Sequence, residues 1–214
     1  MDRALYNPQC RACPRLAAFR DKVQARHPDY WCKPVPPFGD AAARLLIVGL
    51  APGMHGANRS GRPFTGDHAG ILLFDTLHAF GFGSAAESVS ANDGLQLADS
   101  RVTNAVKCLP PDNKPDAAEI NTCNTYLANE LATLPSNAIV LALGGIAHRA
   151  VIKARQLRQA DYKFAHAAVH ELPGFTLLDS YHCSRYNTNT GRLTPAMFRA
   201  VFRKARELLD RNQS

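Results

Sequence analysis

The sequence predicts an α/β protein, a three-layer α/β/α sandwich around a central, mostly parallel four-stranded sheet. Four short apolar runs alternate with longer stretches of helical character, and strands buried on both faces read as such unbroken runs. Glycine-rich or polar loops follow the strands, the arrangement that gathers ligand-handling residues along one edge of the sheet. With 214 residues the chain is also long enough to bury the core of one large domain.

The elements follow in order. Residues 1–40 form an N-terminal arm that carries Cys10 and Cys13 and then a basic, helix-like stretch, Leu16–Val23. Pro28, Pro34, Pro36 and Pro37 deny the next residues a helix, so an extended segment is expected there rather than a domain boundary. Leu45–Gly49 reads as a buried strand that ends in the turn Leu50–Gly56. A helix is expected over Ile71–Phe80, closed by Gly81 and Gly83. Arg101–Val106 is a second strand. A long helix follows from Pro115 to Leu134, opened by proline in its first turn and stopped by Pro135. Ala138–Leu143 is a third strand, and Gly144-Gly145 leads from it into a helix over Ile146–Leu157. Phe175–Leu178 is the fourth strand. Thr194 as N-cap and Pro195 open a last helix through Met197, Val201, Phe202, Leu208 and Leu209. Residues 1–214 thus read as a single domain.

Composition narrows the function. A hydrophobic share of 46% with 20% charged residues excludes wholesale disorder. No run of eighteen apolar residues exists, which excludes a transmembrane helix. The N-terminus has no apolar signal core, so a cytoplasmic address is expected. Twenty-five Lys+Arg against 18 Asp+Glu give a net charge of +7, which points to an anionic partner, nucleic acid first.

Six cysteines in a reducing compartment ask for metal ligation or catalysis rather than disulfides. The spacing Cys10-x2-Cys13, followed by Cys108 and Cys123, suits a four-thiolate site for zinc or an iron–sulfur cluster. Ordinary partly buried thiols are the bland alternative. Cys32 and Cys183 are read as non-ligands.

The strand-end loops carry the remaining chemistry. Gly49-x3-Gly53-x2-Gly56 can cradle a phosphate or serve as a plain turn; it is neither a P-loop nor a dinucleotide fingerprint. Asp67 can orient a water or face a developing cation, or else cap the following helix. Phe64 can stack on a base or sit in the core. Asn104, in an apolar strand, can read a base edge or make a structural hydrogen bond. His182 can donate to an oxygen that gains charge as a bond breaks. The loop Arg185–Leu193, with Arg185, Tyr186 and Arg192, can touch DNA phosphates and enter a base stack.

Together, Gly49-Leu50-Ala51-Pro52-Gly53, Gly61-Arg62-Pro63-Phe64-Thr65-Gly66-Asp67, Thr103-Asn104-Ala105-Val106-Lys107-Cys108 and the His182 loop resemble the uracil-DNA glycosylase superfamily. The order of four cysteines is similar to its iron–sulfur branches, families 4 and 5. Family 4 carries an acidic residue after the first glycine; Leu50 in that place resembles family 5, the B-type enzymes.

The resemblance implies a monofunctional DNA repair glycosylase. It would flip uracil, and other deaminated bases such as hypoxanthine, out of double-stranded DNA and hydrolyse the N-glycosidic bond. Cys10, Cys13, Cys108 and Cys123 would hold a structural [4Fe–4S] cluster. Phe64 would stack on the base within a pocket that also involves Gly49, Ala51 and Gly53. Asn104 would bond the base edge, Asp67 would serve the sugar, and His182 would contact the base oxygen. A monomer, away from membranes, is expected. A metal-stapled DNA-binding module without catalysis, and a hydrolase of nucleotides or small molecules on the same framework, are the alternatives.

Overall fold

The computed structural model describes residues 5–211. The outermost residues of the single-domain reading and its arm, 1–4 and 212–214, lie outside the described residues. The first correction to the expected architecture concerns the sheet. It has six strands, ordered β1-β3-β2-β4-β6-β5, rather than four. The four expected strands are its parallel centre: β2 (Leu45–Gly49), β3 (Ser100–Asn104), β4 (Ala138–Leu143) and β6 (Phe175–Ser180). The additions are antiparallel edges, β1 (Phe38–Gly39) on β3 and β5 (Val169–Leu172) on β6. Two residues carry no period, and Val169-His170-Glu171-Leu172 is half polar, so neither edge stands out as an apolar run.

Alternation along the central strands builds the three layers. Leu45, Ile47, Val102, Ile139, Leu141 and Leu178 face one side, against α3 (His68–Ala79) and α7 (Pro195–Arg211). Leu46, Val48, Val140, Ala142 and Leu177 face the other, against α4 (Ala117–Leu131) and α5 (Gly145–Ala154). Full burial of each Val, Leu or Ile side chain among them stabilises the fold by about 1.5–3 kcal/mol. Thr194 caps α7 by accepting the Met197 N–H at 3.2 Å. Among the described residues no helix is long and apolar enough to cross a membrane.

The arm contains α1 (Pro14–Arg26). Arg15 reaches from it to Glu119 at 2.7 and 2.8 Å, and Glu119 in turn accepts the Asp116 N–H at the start of α4. This contact sets the Cys10–Cys13 segment beside the helix that carries Cys123. The second strand stops at Asn104, two residues short of the expected Val106, so Asn104 stands at the carboxyl end of β3.

Candidate active site and cysteine cavity

Parallel strands end together, and their loops enclose a cavity of about 630 Å³. Ala51 and Gly53 come to it from the loop after β2, Phe64 and Asp67 from the loop before α3, and Asn104 from the end of β3. His182, Arg185 and Tyr186 come from the segment after β6. Gly49 lies beneath the lining, and Arg192 lies outside it, exposed and stacked over the Tyr181 ring at 4.7 Å.

Asp67 occupies the N-cap position of α3 but makes no side-chain bond to it. Its carboxylate instead accepts the Ala57 N–H at 3.0 Å. The carboxylate fills the space where a Cβ at Gly53 or Gly56 would stand, which is why this loop needs glycine at both places. Burial raises the Asp67 pKa; the bonds from Ala57 and Gly53 and the charge of Arg59 oppose the rise. Helix capping is therefore not its task.

Gly49 has the same relation to two other residues. A Cβ there would run into the Phe64 ring and to 2.5 Å from Asn104 Oδ1. Phe64 is buried and belongs to the core as well as to the cavity wall. Asn104 is 3% exposed, and its amide reaches the cavity wall beside Phe64.

His182 has no charged neighbour to stabilise a proton, and burial holds its pKa down to about 4. Its imidazole is neutral at physiological pH, with Nδ1 buried and unpartnered. Asn187 Nδ2 donates to the His182 carbonyl at 2.8 Å, and Ser184 caps the short helix α6 (Arg185–Asn189) that follows. His55, His68, Asn113 and Ser184 also line the cavity and were not singled out in the sequence.

Arg62 braces the site from behind. It is buried and donates to Asp93 at 2.7 Å and to Ser88 at 3.0 Å, while Thr65 and Ser88 share a hydroxyl bond of 2.7 Å.

Cys10, Cys13, Cys108 and Cys123 line a second cavity of about 250 Å³. Lys107 donates its backbone N–H to Cys123 Sγ at 3.3 Å, and Arg20 donates to the Cys10 carbonyl at 2.9 Å. Burial pushes Cys108 up to about 12 and raises Cys13 and Cys123. Thiols so buried keep their protons unless a cation replaces them. Cys32 and Cys183 lie elsewhere: Cys32 accepts from Asn58, and Cys183 is wholly buried in the core.

A sequence model of the uracil DNA glycosylase superfamily matches residues 36–206. The chain belongs to the uracil DNA glycosylase superfamily. It is 47% identical over 205 residues to a type-5 uracil-DNA glycosylase of Thermus thermophilus, covering 93% of each chain. It is 42% identical over 200 residues to a type-5 uracil-DNA glycosylase of Pyrobaculum aerophilum, covering 92% of this chain and 87% of that one. Likeness to a type-4 uracil-DNA glycosylase of Archaeoglobus fulgidus is 36% over 107 residues, half of this chain and 46% of the other. The superfamily motifs named from the sequence all lie inside the matched span, while Cys10 and Cys13 precede it.

Proposed function

We propose that this chain excises uracil from double-stranded DNA by flipping the nucleotide out of the stack and hydrolysing its N-glycosidic bond. The reading rests on one observation: Phe64, Asp67, Asn104 and His182 converge on a single cavity from segments far apart in sequence. The names of the type-5 relatives support it.

Extruding a base costs a few kcal/mol, least for a mismatched one. Inside the cavity Phe64 offers a face for stacking and Asn104 an amide for the base edge. As the glycosidic bond stretches, positive charge grows on the sugar and negative charge on the base. The Asp67 carboxylate stabilises the first and positions the attacking water. The neutral His182 imidazole donates to the base oxygen that takes up the second, a role an imidazole suits without the cost of a buried cation. A cavity of about 630 Å³ also has room for a purine, which supports hypoxanthine as a second substrate. Exposed Arg185 and Tyr186 at the rim, with Arg192 beyond it, hold the flanking strand.

Cys10, Cys13, Cys108 and Cys123 hold a [4Fe–4S] cluster. A donor set of four soft thiolates and a cavity roomier than a single ion needs support this. These four cysteines would thereby tie the arm to the segment after β3 and to α4, in a cavity separate from the base pocket. The protein works as one domain and a monomer on DNA in the cytoplasm.

The test is a uracil-containing duplex incubated with the protein and then treated with alkali. Strand cleavage at the uracil position is expected. Salt-sensitive binding with no abasic product would make the protein a DNA-binding module instead.

A further inference from the structure

A cluster outside both cavities has a bonding pattern that protein atoms alone leave incomplete. His148 of α5, His170 of β5 and Asp179 of β6 place one ligand atom each within 4.8 Å of one another. His148 and Asp179 are almost completely buried, and the His170 side chain is 16% exposed.

His148 Nε2 lies 2.8 Å from the Tyr162 carbonyl, which can only accept, so Nε2 carries the hydrogen. A neutral His148 then turns a lone pair at Nδ1 toward Asp179 Oδ1, 2.8 Å away. Two lone pairs at that distance require something positive between them. A proton on Nδ1 would satisfy this one gap. It would not satisfy the second: His170 Nε2 and Asp179 Oδ2 are both buried, lack a hydrogen-bond partner and stand 3.4 Å apart. One cation bound by all three residues fills both gaps. The bond from His148 Nε2–H to a backbone carbonyl is also the outer contact that orients a metal-ligating histidine.

We propose that His148 Nδ1, His170 Nε2 and the Asp179 carboxylate bind a divalent transition-metal ion, with zinc the best match to two imidazoles and one carboxylate. The ion links α5 to the last two strands of the sheet, and Asp179 lies three residues before His182. Its role is to stiffen the strand end that presents His182, and it takes no part in the chemistry of the base pocket. The proposal is independent of the glycosylase reading.

The test measures zinc and iron together in the intact, cluster-loaded protein after dialysis against zinc chloride and then metal-free buffer. Wild type is expected to retain about one zinc ion per chain outside the cysteine cavity. His170→Ala and Asp179→Asn are expected to lose that zinc while keeping their iron. X-ray absorption at the zinc edge of wild type needs no variant, and only nitrogen and oxygen ligands at about 2.0–2.2 Å are expected, without sulfur at about 2.3 Å. No retained zinc, zinc unchanged in both variants, or a sulfur shell would each overturn the proposal and leave His148 and Asp179 as a proton-bridged pair.

Discussion

The rings of Phe64 and His182 stack with centroids 6.1 Å apart and planes 25° from parallel, joining the loop before α3 to the loop after β6. Phe64 does so from a backbone φ of 61°, a left-handed conformation that disfavours a residue with a side chain. Such a conformation costs about 1–3 kcal/mol and persists only where the surroundings impose it. Here the core holds the ring, and Gly49 leaves it room.

Gly49→Ala therefore tests the packing beneath the site. The added methyl group pushes on the Phe64 ring and on Asn104 Oδ1, with no change in chemical groups. A folded protein by circular dichroism is expected, with uracil release slowed by at least about tenfold, since small misplacements are costly in preorganised sites. Unchanged release would separate these two side chains from the reaction.

The His182 imidazole is expected to titrate near its depressed value of about 4, followed by NMR of the labelled ring. The sign follows from the shift. Between about 6.5 and 4 the unfolded chain takes up a proton at this position and the folded one does not, so this group lowers stability as pH falls. Activity is expected to show no His182 step near 6.5. A midpoint near that value would contradict the neutral-donor role. Burial raises the Asp67 pKa, so on the proposed role the rate is expected to fall as pH drops through that elevated value.

The bond between Arg62 and Asp93 holds the 88–93 loop against the active-site loop. Burial alone would raise the Asp93 carboxyl, but Arg62 and the N–H groups of Leu95, Ser90 and Val89 hold it well below the usual range. Its stabilisation is complete at neutral pH and is lost only under strongly acid conditions. Arg62→Ala removes the guanidinium but leaves the Asp93 carboxylate its bonds from Val89, Ser90 and Leu95, and is expected to destabilise the protein by about 1–3 kcal/mol in urea unfolding. A loss under about 1 kcal/mol would mean that water replaces the guanidinium.

Anaerobically purified protein is expected to be brown, and Cys13→Ala or Cys123→Ala to lose both colour and iron. Cys32→Ala and Cys183→Ala are expected to keep both, whatever Cys183→Ala costs in core packing. Loss of iron in these two would redraw the ligand set.

Legibility in the sequence followed burial. β2, β4 and β6 are buried on both faces and stand out by their apolar residues, whereas β3 is equally buried but has Val102 as its one apolar residue. β1 and β5 escape notice because edge pairing needs backbone more than pattern. Asp67 was legible as a residue but not as a geometry: a side chain at an N-cap position normally turns to its helix, and only the gap over Gly53 and Gly56 turns this one away. His148, His170 and Asp179 stand apart along the chain and have no motif, since strand pairing and a helix crossing bring them together.

The central claim is that Asp67 acts on the bond and not merely on the fold. Asp67→Asn keeps the shape and an acceptor for Ala57 but removes the charge and the second acceptor facing Gly53, and single-turnover uracil release measured beside duplex affinity reads that loss. A fall in rate of about 10²–10³ or more, with affinity near wild type, is the predicted result. Release at the wild-type rate would contradict the account.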